Sequence, residues 1–440
     1  MLKPHVVVLG AGFGGTYVTK KLAKYVKKGL IDVTIVNKTN YFLFTPLLHE
    51  VATGSLSPTS VAEPLREVFS GTGVELCQGT VQSIDLGEHR VHISSSNGSR
   101  HTLPYDYLVI STGAKTNYYG ISGAEKYTLP LKDLSDAVRI RTHVIDCFEE
   151  AIMCEDPVER ARLLSFVVVG GGPTGVETVA ELNEFIHGII DRYYCKTHAC
   201  DHDELKVTLI NSGPELLQQF PATLRASVLS HLKSQGIDVR LDNAVNNVTP
   251  HTISLVGKTS GMIGGIDEET VETIQTSTII WAAGVKPVTL DLIGANNLTG
   301  VSSSNIAGNS RLLVDEFFRL NGDERAFSLG DMAGASPMLA QVAVGQAGVV
   351  AANIIASIKQ KPLKTFSYRS KGSLVSVGKW FAVGALYSRA GNPHVIKGRF
   401  AWWLWRTTYL SKFASWKKRI RIMFEWTLQL FFPRDITKLT

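Results

Sequence analysis

The apolar pattern of this chain begins almost at once. Val6 to Leu9 form an unbroken apolar run, as expected of a parallel strand buried on both faces. A helical pattern starts at Thr16, and Asp32–Asn37 reads as the next strand. Asn40–His49 is an apolar run too long and too Pro-interrupted for one strand; core packing and a segment lying along a flat ring system both fit it. Val81–Leu86, Arg90–Ser95 and Tyr105–Ile110 read as short strands, with a turn at Asn97-Gly98, and the last ends in Ser111-Thr112-Gly113. Residues 132–163 carry helical spacing with a break at Pro157.

Then the opening pattern returns. Ser165–Val169 is another apolar strand, followed by a helix from Val176 to about Ile190 and a strand at Leu205–Asn211. Ile279–Gly284 parallels Val109–Gly113. Ala326–Asp331 predicts a strand ending in Gly330-Asp331, and an apolar helix spans about Met338 to Ile358. Lys371–Gly378 and Phe381–Leu386 read as strands. From Arg399 two helical stretches follow. In the first, Trp402, Trp405, Tyr409, Phe413 and Trp416 recur at spacings of three and four. In the second, Ile420, Met423, Phe424, Thr427, Leu430 and Phe431 share one side, and Lys418, Arg421, Glu425 and Gln429 another. The pattern shows no run of about 18 uncharged apolar residues, so no bilayer-spanning segment is expected. Apolar aromatic faces bordered by Lys and Arg predict helices lying in a membrane interface; a dimer contact or packing on the body are the alternatives.

The strand–turn–helix repeats carry the chemistry. Gly10, Gly12 and Gly15 are spaced G-x-G-x-x-G, and Gly170, Gly172 and Gly175 repeat that spacing 160 residues later. In such a turn one glycine permits the tight bend, one lets backbone approach a pyrophosphate, and one lets helix pack on strand. The helix N-terminus then offers free N–H groups to the anion. Two complete units and two matching strand–Gly turns predict an α/β fold with two Rossmann-like dinucleotide-binding domains. The end of the second strand of each unit, where an acid often meets the adenosine ribose, is Asn37 and Asn211 here.

Composition changes the picture only at the tail. The chain has 440 residues, 44% of them hydrophobic, enough for two or three domains. Net charge is +6, and residues 399–435 supply all of it with eight Lys/Arg against two acids, together with five of the seven Trp. Such a local basic device predicts a bilayer surface as partner and excludes a general nucleic-acid-binding balance. The first strand starts within five residues of Met1, which leaves no room for a targeting segment. Five Cys are too few for a disulfide framework. Cys195, His198, Cys200 and His202 crowd four ligand types into eight residues, too tight a span to wrap one metal ion, so no metal is expected.

With these motifs in place, the chain resembles the type II (alternative) NADH:quinone oxidoreductases over nearly its whole length. The most specific matches are Asn40-Tyr-Phe-Leu-Phe-Thr-Pro-Leu-Leu-His-Glu-Val-Ala-Thr-Gly54, Gly170-Gly-Gly-Pro-Thr-Gly-Val-Glu177, Ala340-Gln-Val-Ala343 and Lys371-Gly-Ser-Leu. The resemblance implies an enzyme that carries FAD, oxidises NADH, reduces a membrane quinone and pumps no protons. It implies an FAD domain from residues 1–118 and 291–360, an NAD(P)H domain at 119–290, and a quinone-site and membrane-anchoring region of amphipathic helices at 361–440. It assigns Gly10, Gly12, Phe13, Gly14 and Gly15 to the FAD pyrophosphate loop and Asn37 with Lys38 to its ribose end. Thr45, Pro46, Thr112 and Gly113 fall to the flavin, and Gly330 with Asp331 to the ribityl chain. Gly170, Gly172, Gly175, Asn211 and Gly284 fall to NADH. Glu177 is directed at the nicotinamide–flavin contact, and Gln341 and Lys371 at the quinone.

Two departures from the family pattern bear on function. Members that prefer NADH usually carry Glu where this chain has Asn211; an amide bonds the ribose hydroxyl but repels no 2′-phosphate, so NADPH use stays open beside NADH. The second Gln of the family's A-Q-x-A-x-Q pattern is Gly345 here, and Gln346 points about 100° away on a helix, so Gln341 is the better quinone residue. Same-fold disulfide reductases need a Cys pair that residues 38–54 lack, and sulfide:quinone oxidoreductases need reactive cysteines. A catalytically silent, membrane-bound nucleotide-sensing protein is the rival of another class. The expected place is the cytoplasmic face of a bacterial inner membrane, as a peripheral protein, with a homodimer left open.

Overall fold

The computed structural model describes residues 3–194, 202–258, 269–293, 311–334, 337–388, 392–413 and 415–438. Its chain forms two units. The first comprises Met1–Leu43, Ala62–Lys115 and Val285–Arg369. Here the opening apolar run is the middle of a six-stranded sheet. His5–Leu9 pairs in parallel with Asp32–Asn37 on one side and with Tyr107–Ile110 on the other. Glu75–Gln78 and Asp323–Ser328 extend the parallel sheet outward, and Arg319–Leu320 adds an antiparallel edge. Because the strands run parallel, their C-terminal ends bring Gly10, Asn37, Ser111 and Leu329 to one edge, where open α/β sheets bind ligands.

Val6, Val7, Val8 and Leu9 are fully buried, as a strand covered on both faces demands. Helices Phe13–Val26 and Ala340–Ile358 pack against one another in this unit. The first begins at Phe13 rather than Thr16, because the last residues of the glycine turn already form its opening turn. The side chains of Val7, Leu9 and Ile110 share a core with Ile84, Val91 and Ile93 of a four-stranded sheet. That sheet is built from Thr80–Asp85, Arg90–Ser94, Arg100–Pro104 and Asp291–Ile293. The helix Ala340–Ile358 is long and apolar enough to cross a membrane, a run that the polar interruptions Gln341, Gln346 and Asn353 hide in the sequence. Half of it is buried. Asn353 is among the buried residues, with its amide bonded to Phe317 O and Lys364 O, so the helix belongs to the unit's own core.

The second unit comprises Phe44–Val61, Thr116–Gly284 and Ser370–Thr440. Ser165–Val169 is its central strand, flanked in parallel by Lys206–Ile210 and Thr278–Trp281. Val167, Val169 and Trp281 pack with Val248, Ile253 and Leu255 of a three-stranded antiparallel sheet. The apolar run around Asn40–His49 resolves into Tyr41–Leu43 as a strand, a turn at Thr45–Leu47 and a short helix, Leu48–Ala52. Pro46 sits in that turn, where a missing N–H costs nothing. The last part is an antiparallel sheet of Gly372–Ser376, Ala382–Tyr387 and Pro393–Gly398, followed by helices Arg399–Ser411 and Trp416–Leu428.

The orientation of the first of these helices corrects the expected membrane face. In the first, Trp402 and Trp405 are each 1% exposed, and Trp405 and Phe413 pack against His49 and Phe44 of the same unit. The Trp stripe is therefore core, and only Trp416 of the predicted set, with Phe400 and Trp403 outside it, faces solvent. The second helix keeps the expected orientation. It turns Ile422 and Trp426 inward, and Glu425 accepts hydrogen bonds from Ser57 N and Ser60 Oγ. Its apolar side faces out, with Phe424 62% and Phe431, just past its end, 77% exposed.

Truncating a buried aromatic removes packing that solvent cannot replace. Trp405→Ala is expected to cost about 3–5 kcal/mol, and the exposed Trp403→Ala under about 0.5 kcal/mol. Chemical denaturation of the two variants measures the difference, and equal midpoints would refute the burial assigned to this stripe.

Candidate active site

The first glycine loop is built by backbone geometry. Gly10 has φ +88° and donates its N–H to Val36 O at 2.8 Å. A Cβ on Gly15 would collide with the carbonyl oxygen of Gly10, so only glycine lets the helix sit this close to the strand. Among the described residues, chain neighbours aside, nothing lies within 4 Å of the place a Cβ on Gly12 would take. The helix N-terminus there has no side-chain cap, so its N–H groups face an open side. Phe13 packs edge-on against Phe42 at 5.1 Å, and Gly14 lies against the Leu329 side chain.

The turn Ser111–Gly113 completes the edge. Ser111 Oγ donates to Leu9 O at 2.8 Å, tying the turn to the first strand. Thr112 Oγ1 is buried and has no hydrogen-bond partner among the described residues. An orphaned hydroxyl at a loop with an uncapped helix end is the pattern expected where a ligand completes the bonding. Gly330 donates its N–H to Gln346 Oε1 at 2.7 Å, so Gln346 is buried and holds the turn that carries Asp331. Gln341 is half-buried in the first turn of Ala340–Ile358, and Gly345 is exposed.

Asn37 does something that the strand pattern alone does not reveal. Its Oδ1 accepts the Ala11 N–H at 2.9 Å, and its Nδ2 donates to Thr39 O and Oγ1. The amide braces the glycine loop from the neighbouring strand, and Lys38 follows on the surface. In the second unit Asn211 repeats this: Oδ1 accepts Gly171 N–H at 3.0 Å, and Nδ2 donates to Gly213 O and Glu215 O. Both amide protons are engaged, which leaves the second lone pair of Oδ1 for a ligand hydroxyl. The signal was present in the sequence as the same residue at the same place in both repeats.

The second loop matches the first. A Cβ on Gly175 would strike the Gly170 carbonyl, the space at Gly172 is open, and Pro173 occupies the first helical turn. Gly284 has φ +144°, and the Tyr119 hydroxyl fills the place of its missing side chain. Thr45 and Pro46 are half-buried and Lys371 is exposed, all three in this unit.

Glu177 opens a row of acids. Glu177, Glu181 and Glu184 fall at i, i+4 and i+7 of the helix Pro173–Ile189, on one face. Glu177 is buried, accepts Ser376 N–H at 3.2 Å and stands 3.9 Å from His49 Nδ1; burial pushes its carboxyl well above the usual range. Glu181 is buried too, yet Arg434 at 2.7 Å, with His49 and Arg406, holds it below that range against the opposing effect of burial. Glu184 lies 3.2 Å from Arg434, and burial and then the neighbouring Glu181 push it up to about 7. Glu50 takes Trp426 Nε1–H at 2.5 Å and is pushed up to about 7 by burial and Glu181. Burial lowers His49 to about 4, and its Nε2 has no partner among the described residues. Arg406 lies over Trp402 at 3.8 Å and Trp426 at 4.8 Å. A cavity of about 700 Å³ reaches Glu50, Glu181, Glu184, Arg406 and Arg434. Of this cluster, sequence reasoning singled out Glu177; Glu181 and Glu184 were visible only as charges at core-facing helical positions.

Burial pushes the Cys147 thiol up to about 11, so it is no thiolate nucleophile at neutral pH. Cys195, His198 and Cys200 lie outside the described residues; His202 bonds His187 and Asp191 at 2.9 and 2.8 Å.

Comparisons with known proteins place this geometry. Residues 4–347 match the pyridine nucleotide-disulphide oxidoreductase family, and residues 370–435 match the NDH2 C-terminal domain. A probable NADH dehydrogenase of Dictyostelium discoideum is 31% identical, covering 98% of this chain and 90% of its own length. A type II NADH:quinone oxidoreductase of Mycobacterium tuberculosis is 30% identical over 98% of this chain and 89% of its own. In fold, the chain is similar to NDH2 of Plasmodium falciparum, solved in complex with NADH, with a TM-score of 0.86 at 22% identity over 99% of this chain and 100% of that one. A sulfide:quinone oxidoreductase of Aquifex aeolicus shares the fold at a TM-score of 0.71 and 18% identity, covering 98% and 96% of the two chains.

The close approach of Gly15 to Gly10 gives a direct test. Gly15→Val is expected to yield protein lacking the flavin absorbance of the wild type, because the helix end is pushed off the strand. A variant purified with full flavin content would contradict the role given to this contact.

Proposed function

The chain belongs to the type II NADH:quinone oxidoreductases, and on that premise we propose that it oxidises NADH and reduces a membrane quinone without pumping protons. FAD is held at the first loop and NADH at the second. Flavin, when bound, supplies the acceptance of hydride from NADH and the hand-over of two electrons to quinone. The observation that carries this reading is the duplication: two loops of the same construction, one in each unit, each with an uncapped helix end and an open glycine face. Two nucleotide sites in one chain suit a resident acceptor and a diffusing donor.

The chain's own residues then bind and orient. The N–H groups at the start of Phe13–Val26 meet the FAD pyrophosphate, with Gly12 leaving room for it. The Thr112 hydroxyl, otherwise unpartnered, bonds the bound group, and Asp331 accepts from its sugar-alcohol chain. Pro46 and Thr45 are assigned to the ring by the family resemblance. The start of Pro173–Ile189 meets the NADH pyrophosphate, and Asn211 offers its remaining lone pair to the ribose without repelling a 2′-phosphate. NADH is therefore the first substrate, and NADPH a slower one. Glu177, whose carboxyl burial raises well above the usual range, is assigned to the nicotinamide–flavin contact as a proton holder, and Gln341 and Lys371 are assigned to quinone, as the family resemblance implies. In domain terms, residues 1–118 with 291–360 serve FAD, 119–290 serve NAD(P)H, and 361–440 serve quinone and membrane.

The outward apolar side of the Trp416–Leu428 helix supports a peripheral membrane attachment. Ile420, Met423, Phe424 and Phe431 are exposed there, and Lys417, Arg419 and Arg421 are exposed on the same helix. Apolar insertion bordered by cations suits an anionic bilayer surface.

Anaerobic NADH is expected to bleach the flavin absorbance, and added quinone to restore it, with kcat/KM higher for NADH than for NADPH; colour that persists after NADH contradicts the reading. Phe424→Asp with Phe431→Asp is expected to release the protein from anionic vesicles while NADH oxidation by a soluble acceptor continues. Retention on vesicles, or a change only from dimer to monomer, would assign this face to another role.

A further inference from the structure

Converting a quinone to a quinol adds two electrons and two protons. NADH brings two electrons and one proton as hydride, so one proton per turnover comes from water. The acids beside Glu177 are arranged to carry it. We propose that Glu184, Glu181 and His49 form the proton-uptake path from the 700 Å³ cavity to Glu177. This rests on the reading that Glu177 gives its proton to the reacting quinone.

The row starts at the cavity. The cavity's lining includes the exposed Asp191, Tyr193 and Phe432 and reaches Glu184, Glu181 and Glu50. Glu177 and His49 are outside that lining and are both nearly fully buried. The row at i, i+4 and i+7 follows one face of a single rigid helix, so spacing is fixed by the backbone. His49 has its Nδ1 edge 3.9 Å from Glu177, and its Nε2, buried and unpartnered among the described residues, is open to receive a proton. An imidazole that stays neutral passes a proton by taking it at Nε2 and releasing it from Nδ1. Rotation of the ring closes the 3.9 Å gap.

The charges facing this row set each member's task. Arg434 of the C-terminal segment and Arg406 of Arg399–Ser411 outweigh the opposing effect of burial and keep Glu181 ionised and ready to accept, with the neutral His49 of Leu48–Ala52 facing it. Lys379 and Arg434 face Glu184, and Arg406 and Arg434 face Glu50, but burial and Glu181 outweigh them, so both acids hold a proton near neutrality. Tyr409 faces Glu177, and His187 and Asp191 stand beyond Glu184 at the cavity. In turnover the O–H bond of Glu177 breaks as one forms on the quinone oxygen. Glu184 then passes its proton to Glu181, Glu181 passes one to His49 Nε2 as His49 Nδ1 releases one to Glu177, and water in the cavity refills Glu184. Atoms and charge balance with NADH, quinone and one proton from water as the inputs.

The test uses the full-length, FAD-loaded protein and the variants Glu184→Gln, Glu181→Gln and His49→Gln. Stopped-flow absorbance separates flavin reduction by NADH from its reoxidation by a short-chain quinone. In the wild type, reoxidation is expected to slow as pH rises through about 7, where Glu184 loses its proton. In Glu181→Gln and His49→Gln, reoxidation is expected to fall about tenfold or more relative to reduction, and imidazole in the medium to restore His49→Gln in part. Glu184→Gln is expected to lose the pH dependence and, with neither NADH nor quinone present, to lose part of the protonated-carboxyl infrared band at neutral pH. Reoxidation and infrared bands matching the wild type in all three variants would overturn the path. Equal losses in both half-reactions would also overturn it, as the sign of a merely structural role. A wild-type protein that NADH does not reduce overturns the functional reading itself, and that outcome is distinct from a functional wild type with silent variants.

Discussion

Arg434 is the interaction on which the second unit most depends. Its guanidinium donates to the Thr53 and Glu181 carbonyls and to the Glu181 and Glu184 carboxylates. It thereby pins the chain's last segment to the short helix after Pro46 and to the long helix that starts at the second glycine loop. Two carboxylates three residues apart on one buried helical face repel and resist desolvation; a cation between them offsets both. Leaving those acids unpaired would cost several kcal/mol, typical of breaking a buried ion pair. Separate bonds, Ser57 N–H to Glu425 and Trp426 Nε1–H to Glu50, orient Trp416–Leu428, whose apolar side is left facing out.

The glycine loops follow a different logic. Each is a backbone device, specified by the absence of side chains at Gly15 and Gly175 and braced by an amide from the neighbouring strand. Because the fold repeats the device, a single local solution is used twice, and the two copies differ in what surrounds them. Around the first are an orphaned threonine hydroxyl and an aspartate turn steadied by Gln346. Around the second are Glu177 and the charge cluster.

What could be read from the sequence was what is local. The strands at Val6–Leu9 and Ser165–Val169, both glycine turns and the helix–break–helix at Pro157 all stand where the pattern puts them, since runs, periods and turn residues are decided within a few neighbours. Periodicity tells which residues share a face but not which way that face turns. The Trp402–Phe413 stripe therefore read as a membrane face and is core, whereas the side of the next helix carrying Phe424 does face out. The charge cluster was opaque for the same reason. Glu50, Glu181, Glu184, Arg406 and Arg434 come from four segments up to 384 residues apart in the numbering, and only folding brings them to one cavity. The bracing by Asn37 and Asn211 was legible in principle, as one amide repeated at matching positions.

If two electrons pass from NADH to quinone while protons only balance the chemistry, the stoichiometry of turnover by the protein bound to sealed vesicles containing quinone is fixed. One quinol is expected for each NADH oxidised, with one proton taken from the medium and no membrane potential. NADH consumed without matching quinol, or a potential built across the vesicle membrane, would contradict it.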